Sequence, residues 1–292
     1  MNISIWVEAA RLRTLPASLV PVLTGAVLAA REGFYNLTVT FITLLCAILI
    51  QIATNFANDY FDFRNGADTS ERVGFVRASS SGLIDPATML KMALATFGIA
   101  FLLGLYLVIH AGWPILIIGI LSIICGLLYT GGPFPLAYNG LGEVFVFIFF
   151  GFAAVMGTYY VHALHWSIHS FWAAIPIGAL STQILVVNNY RDVRTDRSTG
   201  KTTLTVLLGE RFSRWQFLGL YLLAFAIPPH FFFRESFGAA VLLPMILIPW
   251  AIRLTRKFWI ETDKHVFNNL LVHSAQFMTL FGLLFAAGIV LG

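Results

Sequence analysis

The chain has 292 residues, 58% of them apolar and only 11% charged, with a formal net charge of +4 and a mean hydropathy of +0.82. An ordinary soluble domain carries about a quarter charged residues, so this composition excludes a soluble enzyme and an intrinsically disordered chain. Cys46 and Cys125, the only cysteines, lie inside apolar runs without metal or redox spacing, which excludes a disulfide scaffold and marks both as packing residues.

A hydrocarbon layer of ~30 Å takes ~20 helical residues to cross, so the chain has room for about nine spans and no large soluble domain. It opens on a short stretch to Arg13, with Trp6 and Val7 on one side and Glu8, Arg11 and Arg13 on the other. Beyond Arg13 the chain continues as membrane sequence, so we read this start as part of the protein and not as a cleaved leader. Apolar runs bounded by Pro, Gly and charge predict spans near 15–31, 38–61, 89–110, 114–131, 142–163, 171–190, 215–232, 237–254 and 267–290. Nine spans place the connections alternately on two sides, and sixteen of the eighteen Lys and Arg residues then fall on the N-terminal side; only Arg31 and Arg234 fall on the other. By the positive-inside rule the N-terminus is cytoplasmic and the C-terminus external. The basic balance follows from this bias and calls for no nucleic-acid partner.

Two cytoplasmic connections are long, 63–88 and 193–214, and each follows a span that ends in carboxylates and amides. Such groups are costly inside a bilayer, yet here they cluster. The second span ends in Asn58-Asp59-x2-Asp62 with Asp68 beyond, and the sixth in Asn188-x2-Arg191-Asp192-x3-Asp196. Asn58-x3-Asp62 therefore repeats as Asn188-x3-Asp192, four spans later. Residues four apart share a helix face, so each segment carries an acidic stripe, and the even offset makes the two helix ends parallel. Two facing acidic stripes repel unless cations lie between them. Mg²⁺, which takes carboxylate oxygens and completes its shell with water and phosphate, resolves the repulsion, and a pair of such ions points to a diphosphate ligand. Arg64, Arg72, Arg77, Arg191, Arg194, Arg197 and Lys201 stand in the adjoining segments to neutralise a departing oxyanion. Gly200-Lys201-Thr202 imitates the end of a P-loop, but position 195, where that motif needs glycine, is Thr195.

The paired Asn-x3-Asp helix ends in an all-helical membrane chain resemble the UbiA superfamily of intramembrane prenyltransferases. The motifs are similar to those of its naphthoate branch: Asn58-Asp59-Tyr-x-Asp62 with Gly66-x-Asp68-Thr69; Tyr129-Thr130-x-Gly-Pro133 through Tyr138-x-Gly140-Leu-Gly142-Glu143; and Asn188-Asn189-x-Arg191-Asp192 through Asp196, Gly200-Lys201 and Thr203-Leu204, with Arg11-x-Arg13-Thr14-Leu15-Pro16 ahead of them. The general superfamily pattern has a third acid at position 66, where this chain has Gly66, so either Asp59 or Asp68 completes the first metal set.

The resemblance implies an all-α bundle of about nine transmembrane helices over residues 1–292, one prenyltransferase domain whose central cavity opens to the cytoplasm and to lipid, in a bacterial plasma membrane. It implies one Mg²⁺ on Asn58, Asp62 and Asp68 or Asp59 and another on Asn188, Asp192 and Asp196, with Asp62, Asp192, Asp196 and Lys201 as the catalytic side chains. Arg72, Arg77, Arg191 and Lys201 are the implied diphosphate contacts, and Tyr129 and Tyr138 face the aromatic acceptor or the cation. The implied substrates are a polyprenyl diphosphate and 1,4-dihydroxy-2-naphthoate; another aromatic acid, such as 4-hydroxybenzoate or homogentisate, is the alternative, and a secondary transporter is the alternative of another class. Glu143 is expected as a helix N-terminal charge or as partner of a site arginine. The run Phe145, Phe147, Phe149, Phe150 and Phe152 reads as membrane packing, and the seven histidines show no metal spacing.

Overall fold

The structure, a computed structural model, describes residues 3–68, 73–74 and 77–292, with the side chain of Arg13 left aside. Its helices are α1 (Ile3–Ala10), α2 (Pro16–Arg31), α3 (Leu37–Arg64), α4 (Pro86–Ala111), α5 (Trp113–Leu128), α6 (Gly142–Ala163), α7 (Ile168–Ser198), α8 (Leu204–Leu208), α9 (Glu210–Arg234), α10 (Ala239–Ile260) and α11 (Val266–Leu291). Seven of these are long and apolar enough to cross a membrane, and α2 and α5 are apolar helices of 16 residues. Each of the nine predicted spans thus coincides with one helix.

Helix starts follow local chemistry. Asn36 caps α3 by accepting the Val39 N–H at 3.1 Å, and Asp85 caps α4 by accepting the Thr88 N–H at 3.0 Å, with Pro86 in the first turn where its missing N–H costs nothing. Helix ends depart from the predicted ones where polar residues continue the helix. The helix α3 runs to Arg64 and α7 to Ser198, so Asp62, Asp192 and Asp196 all sit on regular helix. The helix α5 stops at Leu128, ahead of a turn in which Gly132 has φ +80.

The helix α7 is the axis of the larger core and the most deeply buried of the seven long apolar helices. It packs among α2, α6, α9, α10 and α11 through Tyr190, Phe217, Phe258, Phe277 and Phe281, and the Phe217 and Phe258 rings stack at 4.3 Å. Two glycines set the crossing of α6 and α7: a Cβ at Gly151 would lie 2.9 Å from the Ala174 carbonyl oxygen, and one at Gly178 would lie 2.8 Å from that of Phe147. Small residues at such crossings let backbones approach. The middle of α6, Phe147–Met156, is wound in wide π-type turns. Gly288 and Gly292 pack against the start of α10, where a Cβ at Gly288 would meet the Ala240 oxygen at 2.4 Å, so this G-x3-G pair serves a contact within the chain.

A smaller core joins α1, α3 and α4 around Phe56, Ala57 and Phe97, with Trp6 edge-on to Phe56 at 5.5 Å. At the opposite end of the bundle Glu32 accepts from Tyr159 and His169, and Glu235 pairs with His169 and His230 at 3.2 and 3.1 Å. These two histidines thereby tie helix connections together. Large apolar side chains such as Ile99, Leu102, Ile109 and Leu121 face outward on α4 and α5, as a lipid-facing surface requires.

Candidate active site

The end of α3 lies in the smaller core, and its polar side chains are sorted by helical phase. Asn55 donates to the Ala10 carbonyl at 3.0 Å and so holds the end of α1. Asn58 accepts from the Thr130 hydroxyl at 2.8 Å. Asp62, 2% exposed, accepts from the Tyr138 hydroxyl at 2.9 Å on one oxygen and from Arg77 at 2.8 Å on the other. Arg77 also faces Asp68 at 3.5 Å, so one buried guanidinium bridges the two carboxylates. Asp59 points elsewhere: its oxygens accept the backbone N–H groups of Ala78 and Ser79 at 3.0 and 2.8 Å. The two candidates for the third acid thus stand differently in the structure. Asp59 anchors the loop, and Asp68 is the carboxylate that stands with Asp62.

The end of α7 repeats the scheme. Arg191, 2% exposed, grips Asp192 with two hydrogen bonds of 2.7 and 2.6 Å and donates at 2.8 Å to Asn188. Its remaining Nη1 donates to Asn268 of α11 at 2.9 Å. Asp196, one turn on, faces Lys201 at 3.8 Å. Lys201 lies 5.4 Å from the centre of the Tyr138 ring, so Asp62, Tyr138, Lys201 and Asp196 form a continuous bridge between the stripes. Backbone pairing holds that bridge in register, with Thr202 donating its N–H to the Tyr138 carbonyl at 3.1 Å and a parallel bridge between Asn139 and Thr202. Burial, followed by the Asp62 carboxylate that accepts its proton, pushes the Tyr138 phenol well above the ordinary range and keeps it a donor.

Between the two cores runs a cavity of about 400 Å³ lined by α2 to α7, the segments that join them, Arg11 and Thr14 ahead of α2, Lys201 after α7 and Leu271 of α11. Its polar end carries Arg11, Asn55, Asn58, Asp62, Arg77, Tyr129, Thr130, Asn188, Asn189 and Lys201, and its body is walled by Phe101, Leu107, Ile115, Phe145, Phe149, Phe150 and Val161. The phenylalanine run of α6 therefore divides. Phe145, Phe149 and Phe150 face the cavity, while Phe147 and Phe152 pack on the larger core. The structure thus brings Asn58, Asp62, Arg77, Tyr129, Asn188 and Lys201 to one cavity, and joins Asp68, Tyr138, Arg191, Asp192 and Asp196 to it through bonded neighbours. Arg72 lies outside the described residues.

Five polar residues were not selected from the sequence as site residues: Arg11, Asn55, Thr130, Asn189 and Asn268. Arg11, half-buried at the polar end on a left-handed backbone of φ 53, follows α1 directly; its place in the Arg11-x-Arg13 motif was the only signal. Asn189 accompanies it and donates at 2.9 Å to Glu143, which stands in the first turn of α6. Thr130 was signalled only by its place in the Tyr129-Thr130-x-Gly-Pro133 motif, and Asn268 by nothing.

Among the described residues, no three His, Cys, Asp or Glu side chains converge closely enough to enclose a cation by themselves. Each stripe instead offers two carboxylates and one amide, all hard oxygen donors. That set suits Mg²⁺ held partly by substrate phosphate and unsuits Zn²⁺, which prefers nitrogen and sulfur.

The arrangement is that of an intramembrane enzyme handling an anionic head and an apolar tail, and comparison with known proteins agrees. A model of the UbiA prenyltransferase family matches residues 18–281. The 1,4-dihydroxy-2-naphthoate octaprenyltransferase of Escherichia coli K12 is 34% identical, over 98% of this chain and 95% of that protein. The enzyme of the same name from Mycobacterium tuberculosis H37Rv is 36% identical, over 85% of this chain and 80% of that protein. Among solved structures, a UbiA homolog from Aeropyrum pernix K1 superposes with a TM-score of 0.74 at 16% identity, covering 96% of this chain and 98% of that one. A UbiA homolog from Archaeoglobus fulgidus bound to GPP and Mg²⁺ gives 0.68 at 12% identity, covering 99% and 100%. The chain belongs to the UbiA prenyltransferase family, and it is an integral membrane protein.

Proposed function

We propose that this protein transfers a polyprenyl group from its diphosphate to 1,4-dihydroxy-2-naphthoate, releasing pyrophosphate and CO₂ and giving the quinol form of demethylmenaquinone. The observation that carries the reading is the meeting of two Asn-x3-Asp helix ends at the polar end of one apolar-walled cavity. The naphthoate acceptor is supported by the name of the Escherichia coli relative, which this chain matches over almost its whole length.

Asn58, Asp62 and Asp68 would hold one Mg²⁺ and Asn188, Asp192 and Asp196 a second. When bound, the metal supplies charge neutralisation on the diphosphate. The chain's own cations do the rest. Arg77 and Lys201, both at the cavity, take phosphate oxygens as the allylic C–O bond ionises and its electron pair leaves with the pyrophosphate. Tyr138 holds Asp62 in place by donating to one of its oxygens. The cation stays among Phe145, Phe149 and Phe150, where apolar walls keep water from capturing it. Arg11, the cavity cation on the α1 side, is placed to hold the carboxylate of the aromatic acid, with Tyr129 against its ring. The ring carbon bearing the carboxylate attacks the cation and forms the new C–C bond; the ring–carboxylate bond then breaks, its electron pair returns to the ring and CO₂ departs. No redox or organic cofactor takes part.

The reading includes one prenyltransferase domain over the chain and a cytoplasmic N-terminus and site, supported by the sixteen-to-two distribution of Lys and Arg. The test is a nanodisc assay offering a labelled polyprenyl diphosphate with 1,4-dihydroxy-2-naphthoate or 4-hydroxybenzoate. A prenylated naphthol with stoichiometric CO₂ is expected. Prenylation of the benzoate alone would replace the acceptor, and no product from either ring would remove the reading.

A further inference from the structure

Two arginines of the site cover the carboxylates that the diphosphate and its metal need. Arg77 sits on Asp62, and Arg191 grips Asp192 through Nε and Nη2 while Nη2 also reaches Asn188. For the ligands to load, each guanidinium has to turn from carboxylate to phosphate. A buried guanidinium that released all its partners at once would be left with unpaired donors. Arg191 is spared this by one bond that points away from the stripe: Nη1 donates to Asn268 Oδ1 at 2.9 Å.

Asn268 belongs to the first turn of α11, far along the chain from either acidic motif. Its amide is held in one orientation from both sides. The oxygen faces the guanidinium, which only donates, and Nδ2 donates at 3.1 Å to the carbonyl of Val73. Val73 precedes Arg77 by four residues in the long loop after α3. One amide therefore touches the arginine of the second stripe and the loop that delivers the arginine of the first. One turn earlier Lys264 donates to the Tyr190 carbonyl at 3.1 Å and lies 3.7 Å from the centre of its ring, so the register of α11 against residues 190–191 is fixed independently of Asn268.

We infer that Asn268 is a positioning residue for diphosphate binding: it is the anchor about which Arg191 turns from Asp192 to the diphosphate, and it couples that turn to the loop carrying Arg77. This rests on the proposed reading of the site as a diphosphate site. It gives the last helix, which bears no acidic motif, a part in substrate binding.

The experiment compares wild type with Asn268→Ala, Asn268→Leu, Asn268→Gln and Asn268→Asp in nanodiscs. It measures both Michaelis constants, the dissociation constant of inorganic pyrophosphate in Mg²⁺, and the melting temperature. Loss of one hydrogen bond to a buried charge corresponds to a change of about tenfold or more in affinity. The Ala and Leu variants are expected to raise the Michaelis constant for prenyl diphosphate and the pyrophosphate dissociation constant by about tenfold, with the constant for the aromatic acid and the melting temperature near those of wild type. Asn268→Gln, which keeps both ends of the amide, recovers part of the loss. Asn268→Asp keeps the acceptor for Arg191 but not the donor to Val73, and falls between. An unchanged pyrophosphate affinity in Ala and Leu overturns the inference. So does a parallel change in both Michaelis constants with a lowered melting temperature that Gln does not relieve, since that marks a packing residue. Wild type that binds no pyrophosphate in Mg²⁺ refutes the diphosphate site itself, a different result from either.

Discussion

Replacing Asp59 tests whether it anchors the loop or binds metal. Its carboxylate, 2% exposed, accepts two backbone N–H groups, Ala78 at 3.0 Å and Ser79 at 2.8 Å. Hydrogen bonds to a charged group are worth about 1.5–3 kcal/mol each. Removing both in Asp59→Ala therefore costs about 3 kcal/mol at the lower end, a factor of roughly 100 in the population of the docked loop. Asp59→Asn keeps one acceptor oxygen and loses about half as much. Hydrogen exchange read by mass spectrometry over residues 77–84 is the direct assay. We expect protection there to fall by about two orders of magnitude in the Ala variant and by about one in the Asn variant, with the Mg²⁺ concentration for half-maximal activity unchanged. Unchanged protection together with a raised Mg²⁺ requirement would refute the reasoning and return Asp59 to the metal set.

The same contacts have other consequences. Tyr138→Phe removes the donor to Asp62, and turnover should fall about tenfold, read in the standard prenylation assay. Because burial and Asp62 raise the Tyr138 pKa above its unfolded value of about 10, the folded state keeps a proton that the unfolded chain loses above that pH. The stabilisation is thus present below about pH 10 and declines above it, so melting curves of wild type and Tyr138→Phe should converge only in the alkaline range; convergence near pH 8 would contradict this. Gly178→Ala drives a Cβ to 2.8 Å from the Phe147 oxygen and should destabilise by about 1–3 kcal/mol, whereas Gly219→Ala, with nothing within 4 Å, should be neutral or stabilising by thermal melting. With Cys46 and Cys125 replaced by serine, an impermeant maleimide should label Gly33→Cys in intact cells and Thr262→Cys only after permeabilisation.

The spans were legible because a bilayer forbids unpaired backbone groups, so each crossing had to be a long apolar helix. The paired stripes were legible because carboxylates at such depth are costly and their four-residue spacing survives in the sequence. The role of Asp59 was hidden, since it depends on the loop folding back to present the Ala78 and Ser79 amides, a path no helical spacing encodes. Arg11 reaches the cavity through a left-handed turn that the sequence does not announce. The division of the α6 phenylalanines escapes a 3.6-residue reading because the helix there is wound in wider turns. Asn268 was invisible for a simpler reason: its partners, Arg191 and Val73, are 77 and 195 residues away.

Whether the ends of α3 and α7 form one diphosphate site is decided by turnover of labelled prenyl diphosphate in folded Asp62→Ala and Asp192→Ala, each titrated with Mg²⁺. Either substitution alone should abolish turnover at every Mg²⁺ concentration while the melting temperature shows the bundle intact. Near-normal turnover by either variant would contradict a shared site, because one helix end would then suffice for the chemistry.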